Sequence, residues 1–400
     1  MVVDNLVVEA IKQRASDIHI KCLEDEVAIK YRVDGVLVEH NPIPISKKNA
    51  LIARIKILAG LNILERRLPQ DGKISSKKYE EMNVQSLRVS TLPTPHGESV
   101  VMRLLSGKQT IPDIRSMGMS TVTLDHLKSV LREPEGIFLV TGPTGSGKST
   151  TLATILQHLN NLYKKERNII TVEDPIEYKI ENATQVAVND RVGLTFAKVL
   201  RSVLRQDPDI VLVGEIRDLE TVEIAMRAAL TGHQVFSTLH TNDATSSVMR
   251  LIDMGVQEYM IGATINGILA QRLIRRLCFD CRQEDVLSEV DLKTLHMTME
   301  QLQTLLGGQL PEKIYRKLGC SKCNHGGYIG RCAIFELFVP NEEIRAEILS
   351  KDSSLNNSRI RKMAREITSM KTLREDGIAK FCQGFTTLDE VVRVSAEGHI

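Results

Sequence analysis

Tryptophan is absent from this 400-residue chain, and 8 Phe and 7 Tyr bring the aromatic share to only 4%. Proteins that grip single-stranded nucleic acid lean on aromatic stacking platforms, and few are on offer here. There is also no excess of charge of either sign: 52 Lys+Arg stand against 50 Asp+Glu, a formal net charge of +2. A bulk electrostatic pull toward DNA or an anionic lipid surface is thereby excluded, and any such binding would have to be local. No apolar run approaches the ~18 residues that a membrane-crossing helix needs. The first residues, Met1 to Glu9, contain neither a basic segment nor a cleavage site. The expectation is a soluble chain that is not exported. What is present is ordinary, 42% hydrophobic and 26% charged, which suits packed cores and excludes disordered, collagen-like and disulfide-scaffold classes. At ~150 residues per domain, two or three domains are expected.

Residues 1–105 read as a small α+β domain. Asn5 to Arg14 has helical apolar spacing, Asp17 to Ile20 and Val27 to Val33 alternate as strands, and Asp34-Gly35 signals a hairpin. A helix over Ala50 to Ala59, ended by Gly60, precedes further sheet segments at Gln85 to Thr91 and Ser99 to Leu105. Residues 106–120 begin with a polar stretch containing Gly and Pro and are assigned as a linker. Over residues 121–276, apolar strands at Gly136 to Val140, Asn168 to Val172, Ile210 to Val213 and Gln234 to Leu239 alternate with helical patterns. That alternation predicts an α/β fold with a mainly parallel sheet covered by helices. Residues 277–331 hold paired cysteines and little regular pattern, and residues 332–400 read as mainly helical.

Four strand ends carry chemistry. After the first strand, Gly142-Pro143-Thr144-Gly145-Ser146-Gly147-Lys148-Ser149 fits G-x-x-x-x-G-K-[ST] at every fixed position, with Thr150 opening a helical segment. Glycines let successive N–H groups point inward, and the helix N-terminus adds partial positive charge. Lys148 can bridge β- and γ-phosphates, and the Ser149 hydroxyl suits Mg²⁺. An ATP·Mg²⁺ cradle is therefore expected. The strand Asp209 to Val213 delivers Gly214-Glu215, and Glu215 is assigned to water activation, with Asp218 capping the next helix. Glu173-Asp174-Pro175-Ile176-Glu177 lies at the carboxyl end of a third strand, where open α/β sheets bind ligands, and Ser237 to Thr241 brings His240 to the same edge.

Cys278-Phe-Asp-Cys281 and Cys320-Ser-Lys-Cys323 are two Cys-x-x-Cys turns, wider apart than in common zinc ribbons. Two such turns can close a tetrahedral thiolate cage for Zn²⁺ with no open coordination position, a structural rather than catalytic site. Surface thiols or a redox pair are the alternative. Cys332 reads as a buried thiol, and Cys22 and Cys382 as packing residues.

With these residues in hand, the sequence resembles the secretion ATPase superfamily, that of type II secretion and type IV pilus assembly. Gly142 to Ser149 looks like its Walker A loop, Thr171 to Glu177 like its Asp box and Asp207 to Asp218 like its atypical Walker B. Thr231 to Asn242 is similar to its His box, with His233 and His240, and Arg201 to Pro208 to its arginine-bearing helix. The likeness extends through Arg32-Val-Asp-Gly35, Leu68-Pro-Gln-Asp-Gly72, His96-Gly-Glu98 and Gly384-Phe-Thr-Thr387, so nearly the whole chain is covered. The resemblance implies a RecA-like P-loop domain beside a small PAS-like N-terminal domain, assembled as a homo-hexameric, Mg²⁺-dependent ATP hydrolase. In that family, arginines of the small domain approach the nucleotide, and the domain's movement is the power stroke. Arg88 and Arg103 match those positions, with Arg205 and Arg217 as further phosphate or interface residues; Glu173, Glu215, Lys148 and His240 complete the catalytic set. Many relatives carry an acid two positions before the first arginine, where this chain has Ser86. A tetracysteine insert marks assembly and secretion members and is missing from pilus retraction motors, which favours the assembly branch. Relatives also carry further N-terminal domains that dock on an inner-membrane platform protein, whereas this chain begins at the small domain. The expected place is the cytoplasmic face of the inner membrane, with membrane contact only through partners.

Two other classes compete. A RecA-like fold with a zinc module also serves nucleic-acid motors, and the basic run Arg272-Leu-Ile-Arg-Arg276 is the one feature in favour. A small-molecule kinase would be a monomer with an acceptor pocket. Neither is preferred, and no nucleic-acid partner is expected.

Overall fold

The computed structural model describes residues 2–106, 110–350 and 356–395. The chain divides into two compact units, Met1–Thr110 and Ile111–Ile400. Of the expected linker, residues 107–109 lie outside the described residues. Ile114 and Met117, further along it, pack into a core of the second unit.

In the first unit, the alternating pattern gives strands β1 (Ala15–Cys22), β2 (Glu26–Val33) and β3 (Val36–Pro44), then β4 (Gln70–Ile74), β5 (Val84–Thr94) and β6 (Gly97–Ser106). They form an antiparallel sheet in the order β3-β2-β1-β6-β5-β4. Both hairpin residues expected at 34–35 take positive φ, Asp34 at 48° and Gly35 at 86°, as a tight turn matched to strand twist requires. One face of the sheet sends Ile18, Ile20, Val27, Ile29, Tyr31 and Met102 into a core closed by the helices Val2–Lys12 and Lys48–Leu58. β3 and β4 are strands that the apolar pattern did not announce. β3 has no buried residue, so it carries no alternation to read.

The second unit is built on strands β7 (Gly136–Thr141), β8 (Ile169–Glu173), β9 (Ala183–Ala187), β10 (Ile210–Val213), β11 (Gln234–Leu239), β12 (Ile265–Leu277) and a later strand, β15 (Tyr328–Phe338). Two short strands, β13 (Gln283–Asp285) and β14 (Ile314–Arg316), pair separately. The main sheet runs β15-β12-β7-β11-β10-β8-β9, parallel throughout except where β15 returns against β12. The four expected strands form its centre. Alternate residues of β7 serve different cores, Ile137 and Leu139 on one face, Phe138 and Val140 on the other, because side chains along a strand alternate between faces. Both faces are covered, so the strands read as unbroken apolar runs. β9, β12 and β15 add to the expected set, and β15 crosses the expected boundary at residue 332, ahead of helices that begin at Glu342.

The remaining C-terminal region is helical: Glu342–Leu349, Asn357–Thr368, Leu373–Cys382 and Leu388–Ser395. Leu295, Leu302 and Ile314 share one apolar core with Ile378, Phe381, Leu388 and Val391, so the cysteine-bearing segment and the last helices bury each other. Among the described residues no helix is long and apolar enough to cross a membrane.

Candidate active site and metal centre

β7 ends at Thr141, and the chain turns at once through glycines in conformations that other residues rarely adopt: Gly142 at φ 147°, Gly145 at 79° and Gly147 at 90°. The helix Lys148–Leu162 starts directly behind, with Gly147 as its N-cap. Backbone donors and the positive end of a helix therefore face one small volume, a donor set suited to an anion. Lys148 reaches across the loop and donates from Nζ to the carbonyls of Gly142 (2.8 Å) and Pro143 (3.2 Å). Burial depresses the basicity of Lys148, while Glu215 and Glu177 pull it back upward. Ser149 is exposed on the first helical turn, and Thr150 shares a hydrogen bond of 2.8 Å with the Tyr178 hydroxyl. These residues fit a triphosphate and a hard cation, in which Lys148 would bind phosphate oxygens and the Ser149 hydroxyl the metal.

The acidic strand ends converge beside this loop because β8, β10, β11 and β7 are neighbours in a parallel sheet, with their carboxyl ends on one edge. Gly214 follows β10; its N–H donates to Val172 O (2.7 Å) and its O accepts from the Thr238 hydroxyl (2.8 Å), tying three strand ends together. A Cβ on Gly214 would sit 3.1 Å from Val172 O, so glycine lets the strand ends close. Glu215, next in line, is mostly buried; its carboxylate pairs with Arg217 at 2.5 Å and faces His240 Nε2 at 3.8 Å. Burial, helped by Lys148, lowers the basicity of His240 although Glu215 opposes it. That keeps the imidazole neutral near pH 7. Glu173 accepts from the Thr171 hydroxyl (2.6 Å) and from Gln185 Nε2 (3.0 Å) on β9. Asp218 caps the helix Leu219–Leu230 through the Thr221 N–H at 2.8 Å. His233 precedes β11 and hydrogen-bonds Ala228 O, so it stands at the opposite end of that strand from His240. Arg201 pairs with Glu220, and Arg205 donates to Arg201 O at 2.8 Å.

Arg88 and Arg103 are directly opposed on β5 and β6 and therefore project from the same sheet face, both exposed. Arg103 donates to Asp17 at 2.8 Å. The basic run on β12 is absorbed by the fold. Arg272 donates to Asn242 O (3.1 Å), Arg275 to Glu390 (2.5 Å) and Arg276 to Ile329 O (3.3 Å). Gln271, which no motif flagged, proves to be a side chain on β12 that hydrogen-bonds the phosphate loop. Its only signal in sequence is a polar residue inside an apolar run.

The two cysteine turns meet in space. The four sulfurs lie within 4.8 Å of one another, with Cys278 to Cys320, Cys281 to Cys323 and Cys320 to Cys323 each at 3.8 Å. A tetrahedron with metal–sulfur bonds of ~2.3 Å has edges of ~3.8 Å, so the spacing suits zinc. Without a metal the four thiols are coupled: against its burial, N–H donors from Cys320 and Gly327 draw Cys323 down, while burial pushes Cys281 up. Cys332 is half-buried, and Cys22 and Cys382 are buried in the cores.

A family model described as type II/IV secretion system protein matches residues 1–393. The chain is 45% identical over 396 residues to the type IV pilus assembly ATPase PilB of Thermus thermophilus, covering 99% of this chain and 43% of that protein. It is 46% identical over 389 residues to the type II secretion system ATPase E of Vibrio cholerae, covering 97% of this chain and 74% of that protein. The chain thus spans under half the length of the first relative and about three-quarters of the second. Among solved structures it matches the pilus retraction motor PilT with bound ADP, at TM-score 0.61 and 27% identity over 98% of this chain and 97% of that one. The ATPase DotB of Legionella pneumophila shares the fold at TM-score 0.68 and 24% identity, over 99% and 95% of the two chains. The mixed-sheet architecture, the paired cysteine turns and a match along almost the whole chain agree: the chain belongs to the type II/IV secretion system protein family.

Proposed function

We propose that this chain is the motor part of a Mg²⁺-dependent ATP hydrolase that powers type II secretion pseudopilus or type IV pilus assembly. The observation that carries the reading is the meeting of the Lys148 loop with Glu215 and His240 at one sheet edge, in a chain about 45% identical to secretion and pilus ATPases. Lys148 and the loop N–H groups bind the phosphates, and Ser149 holds Mg²⁺. Glu215 orients the attacking water once Arg217 releases its carboxylate, with Glu173 and neutral His240 shaping that side of the site. Arg88 and Arg103 supply guanidinium charge to the γ-phosphate when the N-terminal unit moves, which couples hydrolysis to motion. A homo-hexamer carries these sites, and a platform or recruiting protein of the inner membrane receives the work from the cytoplasmic side. The four cysteines hold a structural Zn²⁺.

The test separates binding from turnover. Lys148→Ala is expected to abolish binding of a fluorescent ATP analogue. Glu215→Gln is expected to bind it normally and to hydrolyse ATP at least ~100-fold more slowly, in the range typical for loss of a general base. Wild-type turnover in Glu215→Gln would remove Glu215 from its role, and no nucleotide binding by the wild-type chain would end the reading.

A further inference from the structure

β12 enters the nucleotide edge through one buried amide. Gln271 is 3% exposed. Its Nε2 donates to the Ser146 carbonyl at 2.8 Å, and its Oε1 accepts from the Thr151 hydroxyl at 2.5 Å. One contact falls on the phosphate loop and the other on the first turn of the helix behind it, so the pair straddles Gly147 and Lys148. The approach is tight. A Cβ on Gly147 would lie 2.8 Å from Gln271 Nε2, and one on Gly142 would lie 2.4 Å from Gln271 O. Glycine at both positions is therefore set by the closeness of β12 as well as by φ. The following residue, Arg272, reaches Asn242 O in the loop after His240, so β12 touches both loops of that edge.

A trans peptide is planar, with its C=O and N–H pointing in opposite directions. Holding the Ser146 carbonyl against Gln271 therefore aims the Gly147 N–H away from β12. A neutral carboxamide is suited to the task, because it donates to a carbonyl and accepts from a hydroxyl at once and buries no charge.

We propose that Gln271 is a positioning residue for the phosphate loop, fixing the Ser146–Gly147 peptide so that its N–H meets the phosphates. The inference rests on the reading of that loop as a nucleotide site. Its test uses the full chain, Mg²⁺ and a fluorescent ADP analogue. Gln271→Glu keeps the shape and can accept from Thr151 but sets a carboxylate against the Ser146 carbonyl; Gln271→Leu keeps the bulk and removes both bonds. Each is expected to weaken ADP binding by ~10-fold or more, since a buried acceptor loses its partner. In Gln271→Glu the loss should shrink as pH falls and the introduced carboxyl gains a proton to donate, a recovery that wild type and Gln271→Leu lack. Should either variant fail to fold, Thr151→Val, which frees Oε1 alone, is expected to weaken binding ~3-fold in a chain that still unfolds cooperatively. Unchanged ADP affinity in Gln271→Leu, or in Thr151→Val, overturns the proposal, as does a binding loss in Gln271→Glu that ignores pH. A wild-type chain that binds no ADP overturns the nucleotide reading instead.

Discussion

Glu390 offers a quantitative test of how β12 is anchored. Its carboxylate is 1% exposed and accepts from the Arg275 N–H (3.1 Å) and guanidinium (2.5 Å) on β12, and twice from Arg393 (2.9 and 2.6 Å) on its own helix. Burial alone would raise its pKa, but the donors of Arg393 and Arg275 outweigh it and draw the group from 4.5 down to about 2. A depressed carboxylate contributes stability that is full above the unfolded value and is lost as pH falls through the folded one. Here the window runs from 4.5 down to about 2. At about 1.4 kcal/mol per unit, the group contributes about 3 kcal/mol at neutral pH. Glu390→Gln keeps the shape, removes the charge and leaves Arg275, three-quarters buried, without its counter-ion. A loss of about 3 kcal/mol is expected, within reach of the ~3–5 kcal/mol seen when buried pairs are broken. Urea unfolding of both proteins from pH 7 to pH 3 measures it: the gap should hold down to about pH 5 and fall below half by about pH 3. A gap under about 1 kcal/mol at pH 7, or one that stays constant to pH 3, would refute the assignment.

Glu336 should behave in the opposite sense. It is fully buried on β15, where burial pushes it up to about 6 despite N–H donors from Ala244 and Leu373. Its contribution is complete below 4.5 and lost as pH rises through about 6, so unfolding free energy should fall by about 2 kcal/mol across that window. Glu336→Gln should flatten that slope, and an identical slope in the variant would exclude Glu336 as its source. For the thiolate cage, elemental analysis should find one zinc per chain. Chelation or Cys320→Ser should lower the melting temperature, and a metal-free chain with unchanged melting would refute the cage.

The four central strands were legible because a parallel strand buried on both faces is an uninterrupted apolar run. The turn from β7 into the helix Lys148–Leu162 was legible because its glycines and lysine fall within one short stretch, Gly142 to Lys148. β12 was not. Asn266, Gln271, Arg272, Arg275 and Arg276 break its apolar pattern, and each bonds a partner far off in sequence: Glu135 O, Ser146 O, Asn242 O, Glu390 and Ile329 O. The same arginines invited a nucleic-acid reading for want of those partners. The cysteine turns announced themselves locally, but that all four sulfurs meet follows from the return of β15 along β12. Arg103 was legible as a residue and not as half of a pair with Asp17, since 86 positions separate them.

The hairpin of β12 and β15 also governs how this protein can change in length. Its last rung joins Leu277 to Tyr328, and just beyond it the Cys278 N–H meets Gly327 O at 2.9 Å. The intervening chain thus departs and returns through one narrow doorway, and additions or deletions inside it leave the strand register at the sheet edge untouched. The excursion nevertheless clads Ile378, Phe381 and Val391. A descendant that discards it must re-clothe those final helices with polar residues or with a neighbouring surface, so losing the insert is a change written in two distant stretches of sequence at once.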